Sequence, residues 1–351
     1  MNRTLDQLRI MFGGEPRKPA PDDFTPRAKD IHSTKKLHKK DFLEMAERDE
    51  AYRKRQTWKK RRWAVLLTVN LLFVLSYWVD VQLVEGSLSG SRFLGFHMID
   101  VNAALGLMLA HKHLIVNLLI GTGTVGLVWF LLGGRSFCSW VCPYHFLSEW
   151  AEKLHLYLAA KKLVRDHPLH RGLRTVIWAT FALLAYATGY TVYETISPTG
   201  ITSRALIYGP GVAFGWVLAL LAFEVVYSRR AWCRYLCPVG LTYGVVGTFS
   251  PVRIEYDLSR CAHEGECKKV CLVPHVLDHI TKGRATSEYL TVGPDCTRCG
   301  MCVDVCPGGA LTFSIAGVTR RAPPFDFPKK DSPVCDPAAP KQEPSQEGKT
   351  P

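Results

Sequence analysis

The run Cys296-Thr-Arg-Cys299-Gly-Met-Cys302-Val-Asp-Val-Cys306-Pro307 carries the densest chemistry in the chain. Three thiols two residues apart, a fourth after three more and a closing proline match the bacterial iron–sulfur pattern, whose fourth Cys serves a second cluster. The complementary half lies upstream as Cys261, Cys267 and Cys271 and repeats the same frame if Glu264 occupies the place of a further Cys. A crossed arrangement then assigns Cys296, Cys299, Cys302 and Cys271 to one centre. Cys261, Cys267 and Cys306 form the other, with one position open. Structural zinc also uses Cys-x2-Cys pairs, but with a longer insert between pairs; four thiols closed by Cys-Pro suit a cubane better. Such clusters move single electrons, so the question becomes where electrons enter and leave.

Two further pairs resemble each other: Phe137-Cys138-Ser-Trp-Val-Cys142-Pro143 and Trp232-Cys233-Arg-Tyr-Leu-Cys237-Pro238, whose first cysteines stand 95 residues apart. Each has an aromatic residue two positions after its first Cys and a proline after its second. Each also ends a pair of apolar blocks, which predicts a parallel repeat with four thiols converging on one candidate metal site. Structural or transient thiols are the alternative.

The elements that must position these thiols are apolar. A transmembrane helix needs about 20 mostly apolar residues, and four stretches approach that: roughly 63–84, 113–132, 175–193 and 211–227. The formal charge of +13 gathers beside their ends. Residues 1–62 hold 18 Lys and Arg against 10 Asp and Glu, and Lys161, Lys162, Arg165, Arg171 and Arg174 precede the third block. Residues 80–112 carry only Arg92 and Lys112, and residues 194–210 only Arg204. Positive-inside bias predicts a multi-pass protein of the bacterial inner membrane with both termini cytoplasmic. The basic runs lack interleaved aromatic readout residues, so lipid rather than nucleic acid is the expected contact. The eleven cysteines from Cys138 to Cys306 then face the reducing cytoplasm, available to metals rather than disulfides. Cys335 stands alone in the tail.

The predicted fold is therefore a membrane α-helical domain of four transmembrane helices in two repeated hairpins, joined to a small cytoplasmic α+β ferredoxin domain of the bacterial type. Residues 1–62 read as a basic, partly disordered arm, 63–250 as the membrane domain, 251–320 as the ferredoxin-like domain and 321–351 as a disordered tail. Val252–Tyr256 and Ala310–Ile315 read as strands bracketing the cysteines. Leu147, Trp150, Ala151, Leu154 and Leu158 predict an amphipathic helix on the cytoplasmic surface. The apolar stretch between Phe93 and His113 reads as an interfacial or re-entrant piece. Its His97, Asp100 and His113 are candidates to take protons from a quinol, because histidine titrates near neutral pH and intramembrane polar groups tend to be functional. Arg204 in the second outer loop is a candidate headgroup contact.

The order of apolar blocks, the two Cys-x3-Cys-Pro motifs, Pro274-His275-Val-Leu277 and Asp295-Cys296 through Cys306 resemble the NapH/MauN-type membrane ferredoxins over residues 60–317. The resemblance implies a quinol dehydrogenase component that passes electrons toward a periplasmic reductase. It also implies a periplasmic ferredoxin-type subunit and a membrane-anchored cytochrome c as partners. Glu264 replaces the family's second Cys of its first cluster motif, and Leu272 replaces the proline after Cys271. One [4Fe-4S] cluster is therefore expected to be complete, and the second to be [3Fe-4S], to take Glu264 or His263 as a ligand, or to be absent. Two other readings are an accessory factor that reduces metals for respiratory enzymes and an iron–sulfur redox sensor.

Overall fold

The computed structural model describes residues 3–37, 57–79, 84–93, 96–113, 115–261, 263, 265–281, 283–306 and 308–319. The expectations for Glu264, for Cys335 and for the tail lie outside the described residues. The first part of the arm differs from expectation. Residues 3–37 contain helices α1 (Arg3–Met11) and α2 (Pro26–Leu37), and Met11 is 1% exposed. Few apolar side chains hold them, which is why no apolar period announced them. Backbone carbonyls and polar tips do the work instead: Arg174 donates to Met11 O at 2.8 Å, Gln7 to Thr291 O at 3.2 Å, and Lys35 to the carbonyls of Leu258 and Cys261.

Helix α3 (Thr57–Trp78) begins where the Thr57 hydroxyl and the Trp58 and Lys59 amides converge on the Asp304 carboxylate at 3.0–3.2 Å. An acceptor from a distant segment thus satisfies the orphan donors of its first turn and opposes its dipole. Strands β1 (Val84–Ser87), β2 (Gly90–Phe93) and β3 (Phe96–Ile99) form an antiparallel sheet. Asp100 then caps α4 (Val101–His111), accepting from the Asn102 and Ala103 amides. The expected re-entrant piece is thus a small sheet followed by a helix. The sheet lies against α5 (Val116–Leu132) at Gly121, where any Cβ would overlap the His97 carbonyl.

Helix α6 (Ser136–Trp140) leads into α7 (Pro143–Ala160), and α8 (Gly172–Thr188) into α9 (Val192–Ile196) and α10 (Pro198–Tyr208). After α11 (Phe214–Val226) the chain makes a π-helical turn, Trp232–Leu236, before α12 (Pro238–Val246). The four apolar blocks correspond to α3, α5, α8 and α11. Left-handed glycines at Gly133 and Gly189 end α5 and α8 after 17 residues each. Among the described residues no helix is long and apolar enough to cross a membrane.

The C-terminal part places β4 (Val252–Asp257) between β5 (Tyr289–Thr291) and β6 (Leu311–Ile315), all antiparallel, as the two predicted strands required. The short helices α13 (Glu266–Val270) and α14 (Met301–Asp304) carry Cys267 and Cys302.

Helix α7 corrects one expectation. Its polar side faces inward: Ser148, Glu149 and His155 are buried, while Trp150 and Leu154 of the predicted apolar stripe are 54% and 49% exposed. The charges turn inward because partners wait there. Glu149 meets Arg62 at 2.5 Å, Ser148 donates to Glu224 at 2.6 Å, and Glu152 pairs with Arg230.

Gly134 has a left-handed φ of 64°, and a Cβ there would overlap the backbone of Gly247 and the Tyr243 carbonyl. Gly134→Val should lower the melting temperature by the equivalent of about 2–4 kcal/mol, the sum of left-handed strain and overpacking. Gly215→Ala, which meets nothing within 4 Å, should leave it unchanged in the same thermal melt.

Candidate metal centres

The thiols fall into three groups. Cys271, Cys296, Cys299 and Cys302 line one space under β4. Burial raises the Cys302 thiol pKa, and Cys299, Cys271 and Cys296 raise it further by proximity. In the second group burial pushes Cys267 up to about 12, with Cys261 and Cys306 adding to it. This is the grouping of the crossed sequence scheme.

The third group unites the two repeated motifs. Cys138, Cys142, Cys233 and Cys237 line a single space together with Arg135 and Arg230. Cys142 and Cys237 hold equivalent positions with nearly equal backbone angles, φ −63°, ψ 116° and φ −70°, ψ 113°. Each is the residue before a helix whose first position is proline, where fixed φ suits the first turn and no amide is wasted. No side-chain hydrogen bond closes either cap. The amides of His145 and Tyr144 nevertheless face the Cys142 sulfur, and those of Gly240 and Val239 the Cys237 sulfur, closely enough to favour thiolates. Burial outweighs them and pushes Cys138 up to about 12 and Cys142 up to about 11. Unaided, these thiols stay protonated; a metal must hold them as thiolates.

Iron–sulfur groups fit these positions better than single ions. A tetrahedral zinc with bonds of about 2.3 Å needs sulfurs only about 3.8 Å apart. Among the described residues no group of three or more His, Cys, Asp or Glu is disposed around one ion. Backbone amides already address the sulfurs, from Arg298 to Cys296 at 3.4 Å, His263 to Cys261 at 3.4 Å and Ala310 to Cys306 at 3.2 Å. Beside the third group, Arg135 Nε and Arg230 Nη2 are buried with no hydrogen-bond partner among the described residues, positive charge suited to an anionic group.

The first and third groups share a wall, because Val273 and Thr297 line both spaces. What presses them together is Asp295. Its carboxylate meets Arg135 at 2.7 Å, Arg174 at 2.9 Å and His275 Nε2 at 2.6 Å. Burial opposes the charge, but Arg135 and Arg174 hold the carboxyl well below its ordinary range. Around this hub Arg135 donates to Cys233 O at 2.8 Å, Ser139 to Thr297 O at 2.7 Å, Trp140 to Arg298 O at 3.1 Å and Arg234 to Leu272 O at 2.9 Å.

The quinol-site candidates do not gather in one place. His97 on β3 and His113 beyond α4 are exposed. Asp100 is buried, capping α4 and accepting from the Tyr243 hydroxyl at 2.6 Å. Arg204 is exposed on α10. Both Asp100 and Arg204 act on the charge of Glu194, a residue that sequence reading passed over as part of a turn. Arg135 and Arg230 were also missed, although both stand three residues before the first Cys of their motif and the repeat displays them. The segment expected as the second outer loop and the end of the block before it meet the thiols instead of lying apart from them. Thr199 Oγ1 lies 3.3 Å from Cys142 Sγ, and Tyr193 Oη 3.9 Å from Cys237 Sγ.

Asp295→Asn removes the shared counter-charge of two buried arginines. It should cost about 3–5 kcal/mol, read as a lower denaturation midpoint together with loss of iron bound by the purified protein. Arg253→Gln, half-buried on β4 and donating to the Ser250 carbonyl, should change both far less.

Two family descriptions, each a 4Fe-4S binding domain, match the chain, one over residues 114–164 and 208–255 and the other over 294–312. The first covers both Cys-x3-Cys-Pro motifs. Ferredoxin-type protein NapH of Haemophilus influenzae is 31% identical over 71% of this chain and 86% of its own length. NapH of Escherichia coli is 31% identical over 76% and 93%. Methylamine utilization ferredoxin-type protein MauN of Methylorubrum extorquens is 30% identical over 74% and 89%. No solved structure matches. With its thiols grouped and walled as these motifs require, the chain belongs to the NapH/MauN family of ferredoxin-type proteins and is an iron–sulfur electron-transfer protein.

Proposed function

We propose that this chain is the quinol-oxidising component of a bacterial inner-membrane electron-supply system and feeds a periplasmic reductase or dehydrogenase. The observation that carries the reading is the wall shared by the first and third thiol groups, which supports two redox centres lying side by side. Cys271, Cys296, Cys299 and Cys302 hold one [4Fe-4S] group. Cys138, Cys142, Cys233 and Cys237 hold another, and Cys261, Cys267 and Cys306 an incomplete one. Such groups supply one-electron oxidation and reduction. The protein's own part is to keep them close, dry and electrostatically balanced: Arg135 and Arg230 offset thiolate charge, and Asp295 fixes the register.

Membrane insertion is supported by the outward faces of the helices. Leu67, Leu71 and Leu75 on α3, Val116, Ile120 and Leu127 on α5, and Leu218 and Val226 on α11 are exposed. So are Trp150 and Leu154 on the inverted α7. Apolar surface on this scale needs a nonaqueous neighbour, and short helices serve where loops re-enter and share the depth. Charge asymmetry orients the termini and the ferredoxin part toward the cytoplasm. A periplasmic ferredoxin-type subunit and a membrane cytochrome c are the proposed partners for the onward path.

Protein purified anaerobically in detergent should contain iron and acid-labile sulfide in near-equal amounts, at least eight of each for two complete [4Fe-4S] groups. A menaquinol analogue should bleach its visible absorbance. Zinc in place of iron, or absorbance that dithionite bleaches but quinol leaves unchanged with partners restored, would defeat the reading.

A further inference from the structure

Resting on the quinol-oxidation reading, we propose that quinol binds in the cleft between α4, α8 and α9 and that Glu194 accepts its protons. Asn102, Gly106, Trp178, Phe181, Tyr193 and Glu194 line this cleft. Its walls are three aromatic side chains, Trp178, Phe181 and Tyr193, and the small residues of α4 and α8. The enclosed space, about 30 Å³, is smaller than a quinol ring, so α4 and α8 part to admit one beside Leu105 and Leu109 of α4. Glu194 supplies the polar end expected of such sites.

Two features tie the cleft to redox chemistry rather than to packing. Tyr193, in its wall, reaches Cys237 of the third thiol group at 3.9 Å, so a ring held there lies one side chain from a candidate electron acceptor. Glu194 is also tuned for the task. Burial and the neighbouring Asp100 carboxyl push its pKa up to about 7, against the lowering effects of the Ser89 hydrogen bond and the Arg204 charge. A base poised near neutrality takes a proton and releases it again.

The step balances as follows. Both O–H bonds of the quinol break, and the ring becomes a quinone. Two electrons leave singly to an iron–sulfur acceptor. Two protons pass in turn to the Glu194 carboxylate, which is partly buried and releases the first before taking the second. Ser89, Asp100 and Arg204 are the other groups that face it. Asp100, engaged by Tyr243 and by the α4 amides, positions rather than reacts.

The full-length protein in nanodiscs is titrated with heptyl-hydroxyquinoline N-oxide, a fluorescent quinol-site probe, and separately mixed with menaquinol while cluster absorbance is followed. Gly106→Leu fills the cleft and should weaken probe binding by about tenfold or more, the cost of roughly 1.4 kcal/mol. Gly123→Ala, on α5 outside the cleft and with nothing within 4 Å of an added Cβ, should bind normally and controls for folding. Glu194→Gln should keep probe affinity within about threefold while slowing quinol-driven bleaching about 100-fold, as expected for loss of a general base. The wild-type rate should rise with pH through about 7 as the carboxylate forms. That rise should vanish in Glu194→Gln and persist in Glu194→Asp. Wild-type protein whose clusters respond to dithionite but neither to quinol nor to probe defeats the quinol reading itself. Binding and bleaching that survive both Gly106→Leu and Glu194→Gln defeat only the assignment of this cleft.

Discussion

One buried carboxylate governs how the parts of this protein meet. Asp295 sits one residue before the first thiol of the ferredoxin motif, yet its ion pairs go to Arg135 before the first Cys-x3-Cys-Pro motif and to Arg174 at the start of α8. Two buried guanidinium groups without it would repel each other and stay undersolvated. With it, and with His275 completing the set, one of the two positive charges is offset and the other is left beside the thiols. Because three partners hold the carboxylate, the neighbouring Cys296 and Thr297 are positioned with it, at the wall between two thiol groups. The ordering of candidate redox centres is thus an electrostatic consequence before it is a packing one.

Around that hub the two Cys-x3-Cys-Pro motifs act as structural equivalents. Each uses a buried Arg three residues before its first Cys, a short tight helical segment, and a second Cys placed before a proline-led helix. The second copy is wound as a π-helical turn where the first is an α-helical one. Such turns re-aim side chains by altering residues per turn, and here one brings Cys233 toward the opposite motif. The hydrophobic core of the helical part is built from the same elements, with Phe137 stacked on Tyr243 at 4.9 Å and Tyr193, Trp232 and Val239 buried beside the thiols. Packing and metal site are one region, so neither can drift without the other.

The inversion of α7 follows from the same crowding of charge. An amphipathic helix on a water-soluble protein turns its apolar stripe inward. Here the interior offers Arg62 and Arg230 as partners, and burying those cations without carboxylates would cost more than leaving Trp150 and Leu154 exposed.

Spacing along the chain determined which thiols form the ferredoxin motif, which strands bracket them, and that two distant motifs are copies, because covalent spacing fixes local reach. The contacts of the segments between the apolar blocks were not legible. Thr199 read as an outer-loop residue and Tyr193 as the last residue of the third apolar block, but they touch Cys142 and Cys237, through contacts between segments distant in the chain that spacing does not register. The seat of α1 and α2 was hidden for a related reason: backbone carbonyls hold them, and carbonyls leave no trace in residue type. Glu194 likewise carried no signal until folding placed Asp100 and Ser89 beside it, since a carboxylate's proton affinity is set by its surroundings rather than by its name.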